Sequence, residues 1–143
     1  MKHIGFTGTR SGMSEAQKAG FIALLESLMP CVFHHGDCVG ADEEAHLMAR
    51  TLGISVVIHP PIKDDLRAFC DGASEVRAPK SYFARNRDIV NECSLLIATP
   101  YTDEETSGGT WYTINYARKV KKPVAILQRQ MTAALEENQN AKE

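Results

Sequence analysis

Three short stretches of this chain combine glycine with hydroxyl or charged side chains: Thr7-Gly8-Thr9-Arg10-Ser11-Gly12, Gly36-Asp37-Cys38-Val39-Gly40-Ala41-Asp42 and Ser107-Gly108-Gly109-Thr110. Glycine lets a backbone come close to a ligand, and amides at a helix start point at whatever anion sits there. Hydroxyls and arginine add donors that suit phosphate oxygens. One such loop is ordinary turn chemistry, whereas three at one sheet edge predict a ligand pocket. Gly8, Thr9, Arg10, Gly36, Gly40, Ser107, Gly108, Gly109 and Thr110 are assigned to phosphate and ribose. Neither GxGxxG nor GxxxxGK[ST] spacing is present, so the pocket is not of the Walker type.

A second concentration of chemistry lies around Tyr82-Phe83-Ala84-Arg85-Asn86-Arg87. Arginine near a helix start opposes the helix dipole, so Arg85 calls for an anionic partner. Arg85 and Asn86 are assigned to the anionic or glycosidic end of the ligand. Arg77 and Lys80 read as a solvated helix start. Asp37 is a ribose ligand or a base on one reading and a turn residue on the other. Asp42 reads as a helix cap, and Asp103-Glu104-Glu105 as a solvated loop that could alternatively bring a carboxylate over the pocket. Trp111 or Tyr112 either stacks on a base or packs in the core. Cys38 acts as a nucleophile only with an activating base beside it. His34 and His35 point to opposite faces of a strand, so no shared metal site is expected.

These loops need elements to hold them. His3 to Thr7 reads as a first strand. Ser14 and Gln17 form a capping box before Phe21, Leu24, Leu25 and Leu28, which recur on one helical face, and Pro30 ends that helix. Cys31 to His35 is a strand. Asp42, Glu43 and Glu44 start a helix with Ala45, Met48, Ala49 and Leu52 inward, stopped by Gly53. Ile54 to His59 is the third strand. The stretch from Ile62 to Ser81 carries a short helix at Asp64 to Phe69. A helix over Phe83 to Cys93, a strand from Leu95 to Thr99, a helix from Gly108-Gly109 through Val120 and a strand from Val124 to Leu127 follow. Strand and helix alternate five times, which predicts a three-layer α/β sandwich: a Rossmann-like, parallel, five-stranded sheet with helices on both faces. In such sheets ligands bind beyond the strands' carboxyl ends, where strand order reverses.

The chain has 143 residues, 43% apolar and 24% charged, with a formal net charge of −2. That suits one globular domain, assigned to residues 1–128, with a polar tail at 129–143 that frays from Glu136. The mild acidity lowers the expectation of a protein that coats nucleic acid. Four scattered cysteines with no CxxC pair predict neither a disulfide framework nor a zinc knuckle. Met1-Lys2-His3-Ile4-Gly5 runs into a strand rather than a signal-peptide core, and no apolar run reaches the ~20 residues of a membrane span. A cytoplasmic location and no membrane association are expected.

These motifs resemble the SLOG superfamily, the Rossmann-like group that holds the single-domain Lonely Guy proteins and the core of DNA-processing protein A. The compact form is similar to the YspA-like bacterial and phage branch, over about Ile4 to Leu127. Gly5-Phe6-Thr7-Gly8-Thr9-Arg10 is similar to the family's GxxGxR signature, and Gly36 to Asp42 to its GxxxGxD-type loop. Arg85-Asn86-Arg87-Asp88-Ile89-Val90 resembles the RNR segment of DNA-processing protein A, and Ser107 to Thr113 sits where the family has its SG- or GGxGT-type loop. The resemblance implies a homodimer formed through helices beside the pocket. It also places Arg85 on the arginine of the Lonely Guy phosphoribohydrolases, which cut the base from a nucleoside monophosphate with an arginine and a glutamate. The glutamate's position is Thr113 here, which cannot ionise usefully, so little base release is expected. The leading expectation is a ligand-binding or sensing module for a nucleotide or nucleotide-derived, phosphate-bearing molecule, with no cofactor. Two alternatives stand beside it: a nucleoside 5'-monophosphate N-glycosidase using Arg85 and Asp37, and single-stranded nucleic acid binding through a basic groove.

Overall fold

A computed structural model describes residues 1–130. The strands are β1 (Lys2–Gly8), β2 (Cys31–His35), β3 (Ser55–Ile58), β4 (Glu75–Val76), β5 (Leu95–Thr99) and β6 (Val124–Ile126). The helices are α1 (Glu15–Ser27), α2 (Ala41–Thr51), α3 (Tyr82–Glu92) and α4 (Gly109–Lys119). All neighbouring strands pair in parallel, in the order β4-β3-β2-β1-β5-β6. The chain steps outward from β1 to β4 and then returns to the other side of β1, so the order reverses between β1 and β5.

The sheet is parallel and helix-covered as the alternation predicts, but it has six strands rather than five. The extra strand is the two-residue β4, inside the stretch from Ile62 to Ser81. No helix forms at Asp64 to Phe69 either. Loop-to-loop hydrogen bonds take the backbone groups a helix would use: Val39 N–H donates to Leu66 O at 2.9 Å and Ala68 N–H to Asp37 O at 2.7 Å. The segment is thereby fastened to the loop after β2.

Side-chain alternation sorts the core onto two faces. Ile4, Phe6 and Phe33 meet Phe21 and Leu25 of α1 and Ala41, Ala45 and Ala49 of α2. Phe6, Phe21 and Phe33 pack ring on ring, with centroids 5.3 to 5.7 Å apart. On the opposite face Ile89 and Val90 of α3, with Cys93 just past its end, meet Leu96 of β5 and Ala117 of α4. The capping box at Ser14 and Gln17 forms with both of its bonds. Gln17 is also fully buried, and its amide donates to Pro100 O and Leu127 O, tying α1 to the ends of β5 and β6.

Asp42 does not cap α2. Gly40 holds the cap position with φ +89°, and a Cβ there would run into the Arg10 carbonyl, so the turn demands glycine. No helix among the described residues is long and apolar enough to cross a membrane. Of the tail assigned to 129–143, residues 131–143, and with them the expected fraying, lie outside the described residues; Arg129 donates to Asp103 and to Gly12 O.

Candidate functional site

Beyond the carboxyl ends of β1, β2 and β5 lies a cavity of about 820 Å³, within the usual size range of small-molecule sites. Gly8, Thr9 and Arg10 border it from the loop after β1, Gly36 from the loop after β2, and Ser107 to Thr110 from the start of α4. Arg85 and Asn86 border it from α3. Ten of the twelve assigned residues therefore meet in one cavity. Gly40 and Asp37 are not among its walls.

Each border has a physical origin. The first amides of a helix have no partner within it, and at α4 the cap residue Gly108 supplies no side-chain acceptor. The Gly108 backbone has φ −70° and ψ 166°, which any residue can adopt, and a Cβ there would meet only Thr106 Oγ1 at 3.5 Å. The bare helix start is thus a matter of residue choice rather than of strain. Along the loop after β1, Thr9 O accepts from the N–H groups of Gly12 and Ala41, which welds this loop to the start of α2.

Arg85 is 5% exposed and works as a clamp. Its Nη1 donates to Gly36 O and to His59 O, its Nε to Asn86 Oδ1 at 2.7 Å, and its Nη2 to Cys38 Sγ at 3.6 Å. A Cβ on Gly36 would collide with the Arg85 guanidinium, so glycine there is what lets the arginine in. Arg10 and Arg85 lie over the Tyr82 ring, 5.3 and 5.5 Å from its centroid. Arg85 thus has internal acceptors for several donors that the sequence reading gave to a ligand.

Asp37 departs from its assignment as ribose ligand or base. Its carboxylate is fully buried and accepts from Arg67 Nε at 2.8 Å and from Cys70 N–H at 2.9 Å. With φ 57° it turns away from the pocket and anchors the 62–74 segment. The carboxylate that does border the cavity is Asp42, which accepts from Cys38 N–H at 3.1 Å. Burial raises its pKa to about 6, against the opposing pull of the Arg85 guanidinium. The capping reading hid Asp42, yet its place two residues past Gly40 in the loop was the available signal. Burial and Asp42 together raise the Cys38 thiol, so it is not an activated nucleophile.

Thr113 is buried and returns its hydroxyl to Gly109 O at 3.0 Å, outside the cavity walls. In the acidic loop, Asp103 accepts from Arg129 N–H and Glu105 from Asn115 Nδ2; neither they nor Glu104 border the cavity. Trp111 is 6% exposed, lines the wall and donates its Nε1–H to Thr102 O. Tyr112 packs on Phe83 with centroids 4.4 Å apart and accepts from Arg87 Nη1 at 3.0 Å. Ile62, Tyr82, Phe83 and Tyr101 add an apolar and aromatic rim that the sequence reading did not assign. Lys80 pairs with Asp88, and Arg77 with Glu75 and Glu92, as a solvated surface would have them.

A parallel sheet with its order reversing beside β1, and a glycine-edged cavity at that reversal, define a Rossmann-like α/β fold. Among solved structures, the chain is similar to the molybdenum cofactor binding protein of Rippkaea orientalis, with TM-score 0.70 and 21% identity over 99% of this chain and 83% of that one. It is similar to the molybdenum cofactor carrier protein of Chlamydomonas reinhardtii, with TM-score 0.70 and 20% identity over 100% and 86% of the two chains. DNA processing protein A of Streptococcus pneumoniae aligns with TM-score 0.67 and 17% identity over 99% of this chain and 56% of that one. No protein-family model matches the sequence, and no curated protein matches it.

Proposed function

We propose that the protein binds a nucleotide or nucleotide-derived, phosphate-bearing ligand in the cavity at the carboxyl edge of its sheet, as a ligand-binding or sensing module. The observation that carries this reading is the uncapped start of α4, whose glycines border a cavity of about 820 Å³ opposite Gly8, Thr9 and Arg10. Unpartnered helix amides attract an anion, and Arg10 supplies a cation across the space. Ile62, Phe83 and Tyr101 offer an apolar rim for a planar base. The fold neighbours include proteins described as binding molybdenum cofactor and, for the Helicobacter pylori DNA processing protein A, single-stranded DNA; both descriptions are compatible with a site at this edge. A homodimer is part of the same reading and is checked by the mass in solution.

A second reading, N-glycosidic hydrolysis, rests on Asp42, whose carboxylate borders the cavity. A cation-like sugar in the transition state needs such a group nearby.

The test compares thermal shifts with a nucleoside monophosphate, the free nucleoside and ribose 5-phosphate. A ligand at about 100 times its Kd stabilises the fold by about 2.7 kcal/mol. The phosphate-bearing compounds should raise Tm and the free nucleoside should not. No shift with any phosphate-bearing compound overturns the reading. Free base should not accumulate; turnover lost in Asp42→Asn would transfer the site to the hydrolase reading. Oligonucleotide binding that weakens steeply with salt would identify the nucleic acid alternative.

A further inference from the structure

Independently of that cavity, the sheet carries a row of imidazoles on the face where α3 and α4 pack. α3 packs over β1, and α4 over β1, β5 and β6. Towards β2 and β3 the same face is occupied by His3, His34 and His59, because His34 pairs with Gly5 and Val57 in the register and His3 and His59 fall two residues from those partners. His3 Nδ1 lies 2.8 Å from His34 Nε2, and His34 Nδ1 lies 2.9 Å from His59 Nε2. His34 and His59 are 1% and 3% exposed. Ligand atoms of His34, His59 and Glu92, one from each and the last at the end of α3, lie within 4.8 Å of one another.

The opposite face holds a comparable group, His35, His46 and Cys70. There the protons are already placed. Asp37 N–H donates to His35 Nδ1 at 2.9 Å, so His35 carries its proton on Nε2 and donates to His46 Nδ1 at 2.9 Å. His46 Nε2 then donates to Asp71 O at 2.6 Å. An ion on His35 would have to strip a proton from a neutral imidazole. Nothing fixes the His3–His34–His59 row in this way. When His34 Nε2–H donates to His3 Nδ1, the lone pair of His34 Nδ1 accepts from His59 Nε2–H, and an ion takes both facing nitrogens once His59 carries its proton on Nδ1 instead. A ligating histidine usually gives its other N–H to just such a partner. Glu92 is held by Arg77 at 2.8 Å, and Arg77 is also held by Glu75 at 2.9 Å, so ligation by Glu92 leaves Arg77 a carboxylate partner.

We propose that His34 Nδ1, His59 Nε2 and the Glu92 carboxylate form a site for a first-row divalent cation of zinc type, with His3 as the positioning residue for His34. Two imidazoles and a carboxylate are a common zinc donor set with a position left open. The two nitrogens must part from 2.9 Å to about 3.3 Å, the edge of a tetrahedron with Zn–N bonds of about 2.0 Å. That is a side-chain adjustment.

The test is titration of the full chain with Co²⁺, read by its visible absorption, and with Zn²⁺, read by calorimetry. One ion per chain is expected, with no thiolate-to-cobalt charge-transfer band. Binding should be lost in Glu92→Gln and His59→Gln and kept in His46→Gln and Cys70→Ser. Glu92 sits at a helix end, so Glu92→Gln carries the test even if His59→Gln fails to fold. His3→Phe should weaken Zn²⁺ about tenfold without moving the Co²⁺ bands. Absence of binding at millimolar ion, a thiolate band, or equal affinity in Glu92→Gln overturns the proposal, and none of these outcomes bears on the nucleotide reading.

Discussion

Arg85 illustrates how a residue's surroundings revise what its type implies. Its position near a helix start called for an anion, yet its donors reach Gly36 O, His59 O, Asn86 and Cys38 inside the protein. Removing it would leave two buried carbonyls without a donor, and bonds to a charged group are the stronger kind. Arg85→Ala is therefore expected to cost about 3 kcal/mol of folding stability, measured by urea unfolding, in addition to any effect on ligand affinity. A variant as stable as the parent would return Arg85 to a purely ligand-directed role. Asp37 and Asp42 exchange parts for a related reason. In the loop Gly36 to Asp42, the left-handed turns at Asp37 and Gly40 aim one carboxylate at Arg67 and leave the other at the cavity.

At the scale of elements, α4 is the helix whose start is open to the cavity. Gly108 already has a backbone that suits aspartate, and space for its side chain. An aspartate at a cap position satisfies the helix amides from within, and replaces glycine at a gain of only a few tenths of a kcal/mol. Gly108→Asp should thus leave stability level or slightly raised while weakening phosphate-bearing ligands more than tenfold, an estimate from one or two lost charge-assisted bonds of about 1.5 kcal/mol each. Chemical denaturation and calorimetry read the two effects separately. Undiminished affinity would place the anion away from α4. The 62–81 segment behaves differently from the helices because its order comes from contacts with the loop after β2 rather than from its own periodicity.

For the whole molecule, buried groups set opposing pH dependences, with His34, His35 and His59 on one side and Asp42 on the other. Burial pushes His35 down to about 3, with His46 adding to the effect. Below its ordinary value of 6.5 the unfolded chain takes up a proton that folded His35 refuses, so stability falls as pH drops from about 6.5 towards 3. Asp42, raised to about 6 from 3.8, acts the other way. Between those values the folded state holds the extra proton, and Asp42's contribution increases as pH falls and is lost as pH rises through 6. Asp42→Asn removes the compensation, so its unfolding midpoint in urea should fall more steeply than the parent's between about pH 6 and 4. Parallel curves for the two proteins would show that Asp42 titrates normally.

The sequence by itself determined the alternating α/β order, the parallel sheet, the capping box at Ser14 and Gln17, and the gathering of three glycine-bearing loops at one edge. These follow from local periodicity and from topology, since parallel strands joined through helices bring every strand-to-helix loop to the same side. It also separated His34 from His35 correctly, because strand side chains alternate. What tertiary structure alone decided is where side chains with several options spend their hydrogen bonds. The strand Glu75–Val76 exists because β3 offers it an edge, and the helix at Asp64 to Phe69 fails because the loop after β2 takes its backbone groups. Arg85 reaches Gly36 and His59, Asp37 reaches Arg67 and Cys70, and His34 reaches His3 and His59, all across 25 or more positions. No window of local sequence contains those partners, so burial and long-range geometry settle what each group can do.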